Sequence, residues 1–162
     1  MADEQIGAVL TSIANNGANS VQILGQILEV LANTGTIAAT GAITSSSPTA
    51  GIGYATGAGG TVTQATSKST GVTLNKVTGQ ITMNNAALAA GAEVTFTVTN
   101  SAVTPADVPH AVHASGGTAG SYNINVNSVA AGSFAITVSN LSGGSLSEAI
   151  VLNYVILRGA TA

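Results

Sequence analysis

Glu93-Val94-Thr95-Phe96-Thr97-Val98-Thr99-Asn100, past the middle of the chain, decides the fold. Val94, Phe96 and Val98 alternate with Thr95, Thr97 and Thr99. An extended backbone sends successive side chains to opposite faces, so this stretch has one apolar and one hydroxylated side, as a strand bordering a core requires. Ser133-Phe134-Ala135-Ile136-Thr137-Val138-Ser139-Asn140 repeats the arrangement, and Tyr122, Ile124 and Val126 alternate with Asn123, Asn125 and Asn127. The Val-Thr-Asn and Val-Ser-Asn endings read as shared strand chemistry, since one short match does not make a repeat protein.

Working outward, shorter strands are expected at Val62–Thr66, Val72–Val77, Gln80–Asn84 and Val108–Ala114. Turn residues separate them at Thr70-Gly71, Thr78-Gly79, Ala90-Gly91, Ser115-Gly116-Gly117 and Ser142-Gly143-Gly144. The expected fold is mainly β: an antiparallel β-sandwich or jelly roll of about eight strands, over residues 61–162. The last strand departs from alternation, because Ile150, Val151, Leu152, Val155, Ile156 and Leu157 are apolar on both parities. Both of its faces are expected to be covered, one by the core and the other by a second sheet, an N-terminal arm or another subunit. Val151, Val155 and Leu157 are therefore candidate contact residues, although a central sandwich strand accounts for the pattern as well.

Toward the N-terminus, Ile6, Leu10, Ile13, Gly17, Ser20, Leu24, Ile27 and Leu31 follow steps of four and three, the spacing of a coiled-coil seam. Asn15-Asn16-Gly17-Ala18-Asn19 interrupts it with poor helix formers. Two short helices, Asp3–Ala14 and Ser20–Ala32, are expected to form an arm over residues 1–34. Helices this short need a surface to pack on, so Ile6, Leu10, Ile13, Leu24, Ile27 and Leu31 are candidate contacts to their own subunit or to sister subunits. Residues 35–60, rich in Gly, Ala, Ser and Thr, read as a linker or extended arm.

Charge narrows the function classes. Asp, Glu, Lys and Arg make up 6% of the chain, against about 25% in average soluble domains, so Thr, Ser and Asn must carry the wet surface. Such a surface lets copies approach without strong self-repulsion. With Lys68, Lys76 and Arg158 as the only Lys or Arg and a net charge of −3, no basic face for nucleic acid is expected. The first residues are acidic rather than basic, and no stretch of about 20 apolar residues occurs, so neither a secretion signal nor a membrane span is expected. The lack of Cys removes disulfides and thiolate chemistry.

Candidates for catalysis are few. His110 and His113 are the only histidines, and three residues apart on a strand they face opposite ways, which disfavours one metal within a subunit. A three-fold axis would instead gather three copies of one histidine. Asp3 and Glu4 suit the first turn of a helix, and Glu29 a solvated helix position. Glu93, Asp107 and Glu148 show no sign of converging as a glycosidase pair. Gly57-Ala58-Gly59-Gly60 lacks the Gly-Lys-Ser/Thr of a phosphate loop. Lys68, Lys76 and Arg158 carry no signal beyond solubility or a subunit contact. No enzyme activity and no cofactor are expected.

The run Gly53-Tyr54-Ala55-Thr56-Gly57-Ala58-Gly59-Gly60-Thr61-Val62-Thr63-Gln64, continuing through Thr66-Ser67-Lys68-Ser69-Thr70-Gly71-Val72-Thr73-Leu74-Asn75, resembles a β-domain of tailed-bacteriophage structural proteins. Gly79–Met83, His113–Gly120, Val129–Phe134 and Asn140–Ala149 are similar to the same domain, so the resemblance spans roughly Gly53–Gly159. It implies a virion protein, of the capsid cement, decoration or head-fibre type. It also implies a homo-oligomer, usually a trimer, that binds the major capsid protein at the capsid surface. The arm would then meet its own subunit, its sisters or the capsid. The alternative it implies is a tail-fibre or head-fibre domain that binds a host receptor or glycan through loops such as Ser115–Tyr122.

Overall fold

A computed structural model of the chain describes residues 42, 44–49 and 51–160. The arm expected over 1–34, with Ile6, Leu10, Ile13, Leu24, Ile27 and Leu31, lies outside the described residues. The compact unit beginning at Gly53 contains all the strands of the described residues. These are β1 (Thr61–Thr63), β2 (Val72–Thr73), β3 (Thr78–Thr82), β4 (Glu93–Thr99), β5 (Val108–Ser115), β6 (Tyr122–Ala130), β7 (Ser133–Asn140) and β8 (Val151–Leu157). No helix occurs among the described residues.

The strands form two four-stranded sheets, ordered β1-β3-β8-β5 and β2-β4-β7-β6. The expected all-antiparallel pairing is corrected at one edge of each sheet, where β1 runs parallel to β3 and β2 runs parallel to β4. The physical reason is the connectivity. The chain passes from one sheet to the other at every step except the β6–β7 hairpin, so neighbours in a sheet are joined by crossovers that permit parallel strands. The two parallel strands are short, which limits the exposed edge each sheet offers.

Alternation places the core between the sheets. Phe96 and Val98 of β4, Phe134, Ile136 and Val138 of β7, Ile81 of β3, and Leu152, Tyr154 and Ile156 of β8 are all buried. Phe134 meets Tyr154 edge-on, with ring centroids 5.5 Å apart, a geometry that adds to the area both rings bury. The core is therefore largely aliphatic, with Phe96, Tyr122 and the Phe134–Tyr154 pair as its rings, consistent with a chain that is 3% aromatic.

Three strands end in the same device. Asn84 after β3, Asn100 after β4 and Asn140 at the end of β7 each accept, at Oδ1, the backbone N–H two residues on, from Ala86 (2.8 Å), Ala102 (2.9 Å) and Ser142 (2.9 Å). An Asn side chain that mimics the next peptide turns the chain out of the sheet. The similar endings of β4 and β7 thus have a common physical cause in the turn as well as in the strand.

Candidate functional site

The outward faces of the two sheets differ. On the β2-β4-β7-β6 sheet the outward groups pair with one another: Thr95 and Thr137 hydroxyls lie 2.8 Å apart, Asn127 Nδ2 donates to Thr137 Oγ1 (2.9 Å), and Ser139 Oγ donates to Glu93 Oε1 (2.9 Å). This is a polar ladder in which Glu93, Thr95, Asn127, Thr137 and Ser139 are joined by hydrogen bonds.

The other sheet turns apolar side chains outward. In β8, Leu152, Tyr154 and Ile156 point into the core, which sends Val151, Asn153, Val155 and Leu157 to the opposite face. Beside it, β5 buries Pro109 and Ala111 and turns out Val108, His110 and Val112. The register sets Val108 opposite Leu157, His110 opposite Val155 and Val112 opposite Asn153, and directly paired residues share a face. Val108 is 59% exposed, Leu157 55% and Val112 44%, so they form an open apolar stripe with His110 in its midst. On the other side of β8, β3 adds Thr78, Gln80 and Thr82. No Asp, Glu, Lys or Arg lies among these β3, β5 and β8 positions. The charged pair nearest in sequence, Asp107 and Arg158, flanks the Val108–Leu157 end and joins at 2.8 Å.

The expected contact residues Val151, Val155 and Leu157 are thus brought together on one face of β8. On that face Leu157 is exposed and Val151 and Val155 are half-buried within the described unit. Sequence reasoning missed Val108 and Val112. Their signal was present as β5 alternation with the apolar parity outward, which becomes meaningful only once β5 is known to lie beside β8.

A second feature lies at the loop after β5. His113, Ser115, Gly116, Gly117, Gly120 and Tyr122 line a concavity of about 390 Å³. His113 Nε2 lies 3.1 Å from Ser115 O and 2.7 Å from Gly116 O, and its ring meets that of Tyr122 edge-on at 5.6 Å. Glu148 fastens the far side: Thr118 donates to it from Oγ1 (2.7 Å) and N (3.0 Å), and Tyr122 from its hydroxyl (2.8 Å). The hydrogen bonds from Thr118, its hydroxyl first, hold the Glu148 carboxyl below the usual range. Burial, reinforced by Glu148, pushes the Tyr122 hydroxyl well above its usual value.

The three body carboxylates serve separate neighbourhoods. Glu93 accepts from Ser139, Glu148 from Thr118 and Tyr122, and Asp107 from Thr104 N, Arg158 and Gly159 N. The Thr104 N–H is the main cause that holds Asp107 low. His110 and His113 face opposite ways as their spacing predicts, His110 on the open face and His113 toward Tyr122.

One expectation about the cations needs correction. Lys68 is 3% exposed, and its Nζ donates to the carbonyls of Asn84 (2.7 Å) and Glu148, so it ties together segments distant in sequence. Gln64, also buried, braces the same loop, with Nε2 on Lys68 O (3.0 Å) and Thr70 O (2.9 Å) and Oε1 on Asn84 N (3.0 Å). Burial pushes the Lys68 amine down. Nothing local in Ser67-Lys68-Ser69 marks this role, because its partners lie 16 and 80 residues away. No protein family model, curated protein or solved structure matches this chain.

Proposed function

We propose that this chain is a structural protein of a tailed-bacteriophage particle, a cement or decoration protein that binds as a symmetric trimer on the capsid surface and stabilises the shell. The observation that carries the reading is the uncharged apolar stripe of exposed Val108, Val112 and Leu157 with half-buried Val155 on the outward face of β5 and β8. A side chain moved fully from water into an apolar contact contributes about 1.5–3 kcal/mol, and symmetry multiplies that gain by the number of copies. The low charge acts in the same direction, since close-packed copies bury few ions. The resemblance over Gly53–Gly159 supplies the virion and the major capsid protein as partner. The sandwich reads as a jelly-roll variant, its chain crossing between sheets at nearly every step. The test is copy number in purified particles by quantitative mass spectrometry. Hundreds of copies per virion fit a capsid protein, a handful would move it to the tail, and none would remove the reading.

The concavity beside His113 and Tyr122 favours a second reading, a fibre domain that holds a host-surface glycan. Its floor of small residues leaves backbone groups within reach of sugar hydroxyls, and the loop is preorganised by Glu148. A glycan array without a binder removes it.

A further inference from the structure

A strand at the edge of a sheet presents backbone N–H and C=O groups that no neighbouring strand meets. Each of the two sheets ends in two such strands, and three of these edges are guarded. β1 is 3 residues long and β2 is 2. β5 carries Pro109, which has no N–H to offer, and its register with β8 shifts between His113 and Ser115. The remaining edge, β6, is 9 residues long, contains no Pro, Asp, Glu, Lys or Arg, and keeps regular register with β7 from Tyr122 to Asn127. The direction of its free groups follows from β7. Asn140 N donates to Ala92 O, away from β6, and Leu141 N donates to Ser121 O, toward it. Alternation then turns Ser139, Thr137 and Ala135 toward β6, where they bond to Asn123, Asn125 and Asn127. The N–H and C=O of Ile124 and Val126 point the other way, to the open edge, and have no backbone partner among the described residues.

We infer that β6 pairs with β6 of a second copy, antiparallel across a two-fold axis at Asn125, so that the two β2-β4-β7-β6 sheets join into one continuous sheet. A row of backbone donors and acceptors is met by an extended strand, and β6 is the one edge strand among the described residues with a regular, unguarded run to offer in return. With the axis at Asn125, Ile124 of each copy lies opposite Val126 of the other. These are the residues whose groups β7 leaves free, and each such pair exchanges both of its N–H···O bonds. On the outward face the exposed Asn125 meets its own equivalent. An amide both donates and accepts, so it is complementary to itself, as a two-fold contact requires. Copies share a net charge of −3, but β6 carries none of it, so the line of approach is free of repulsion between like charges. The pairing stops at the bulge, where the register with β7 shifts between Asn127 and Ala130 and Ser128 holds φ at 52°. A two-fold contact does not close a ring of three, so it joins one assembly to the next and does not depend on the trimer of the reading above.

The chain has no Cys, so a single introduced thiol can link only to its own equivalent. Asn125→Cys places it at a non-hydrogen-bonded pair, where Cα atoms lie about 4.5 Å apart, within disulfide reach. Asn123→Cys, on the same face of the same strand, would be about 14 Å from its equivalent. In the full chain under mild oxidation, Asn125→Cys is expected to run as a disulfide-linked dimer on a non-reducing gel and Asn123→Cys as a single chain. Light scattering across a dilution series gives a second measure. Val126→Pro removes an N–H that faces the open edge and not β7, so it is expected to keep the circular dichroism spectrum of the parent and to weaken association by about tenfold or more. If it misfolds, Asn125→Lys, at an exposed position, repeats the measurement by setting like charges at the axis. A parent that is monomeric throughout, thiols that link equally at both positions or at neither, or association untouched by the folded variant would each overturn the inference. Particle copy number is read separately, so a β6 contact that behaves as expected in a protein absent from virions sinks only the reading of the function.

Discussion

Replacing Asn140 by alanine should be among the most damaging changes in the body that touch no large core side chain. Asn140 is fully buried, and its Nδ2 faces three carbonyls, Leu88 O (2.9 Å), Ala89 O (3.1 Å) and Gly144 O (2.8 Å). Its Oδ1 accepts from Ser142 N (2.9 Å) and Ser142 Oγ (2.7 Å). An amide has two hydrogens for those three carbonyls, and the single Ser142 hydroxyl hydrogen is shared between Asn140 Oδ1 and Gly144 O, so the side chain makes the equivalent of roughly three to four full bonds. Each is worth a net 0.5–1.5 kcal/mol or so, and more where a buried group is orphaned. Orphaning is limited here, because Leu88 O keeps Leu146 N, Ala89 O keeps Ala92 N and Gly144 O keeps Ser142 Oγ. The expected cost of Asn140→Ala is therefore about 3 kcal/mol, or roughly 10–20 °C in Tm for a unit of this size. Urea and thermal unfolding followed by circular dichroism measure it. Asn140→Asp sharpens the test: it keeps the acceptor for Ser142 but sets a carboxylate against three carbonyl oxygens, so at neutral pH it should cost more than alanine. A loss below about 1 kcal/mol for alanine, or an aspartate variant more stable than the alanine one, would refute the account.

Other perturbations test other parts of the structure. At Gly117, φ is +67° and an added Cβ would lie 2.7 Å from both Ile150 Cγ2 and Glu148 Oε2; Gly117→Ala should destabilise by about 2 kcal/mol or more, read by chemical denaturation. Ser128 is exposed and holds φ at 52°, so Ser128→Gly should be neutral or stabilising by up to about 1 kcal/mol, and a clear loss would contradict the strain argument. Burial pushes the Tyr154 hydroxyl up to about 12 from 10.0. Its contribution is complete below pH 10 and is lost as pH rises through 12, so unfolding monitored by tyrosine absorbance should begin in that window, and Tyr154→Phe should flatten the dependence. Glu148 is displaced the other way, below the usual 4.5. Its contribution is present above that value and is lost as pH falls through the depressed one, so Glu148→Gln should lessen the acid sensitivity of thermal unfolding.

Alternation made β4, β6 and β7 legible in the sequence because each has one face in the core and long enough runs to show the period. The candidates at 62–66 and 72–77 shrank to β1 and β2, whose pairing is parallel and set by partners far along the chain, information that a local pattern does not hold. Leu157, Val155 and Val151 were recognisable as unusual from their parity alone, whereas Val108 and Val112 acquired meaning only through their register with β8. Lys68 was illegible for a related reason: a lysine between two serines resembles any surface lysine until the chain brings Asn84 O and Glu148 O to its amine. The Asn100 and Asn140 endings were visible as a likeness, but the turn they make depends on an oxygen reaching an N–H two residues on, which letters alone do not display.

The position of β8 also fixes when the body can form. It is the last strand in sequence yet lies between β3 and β5, which are hydrogen-bonded to it and not to each other. A growing chain that has not yet exposed residues 151–157 holds β5 and the β1–β3 pair without the strand that unites them, and Leu152, Tyr154 and Ile156 are missing from the core. The sheet cannot assemble in the order of synthesis. The β1-β3-β8-β5 sheet closes only when residues 151–157 reach it, whereas β2, β4, β6 and β7 all precede them and can pair without them.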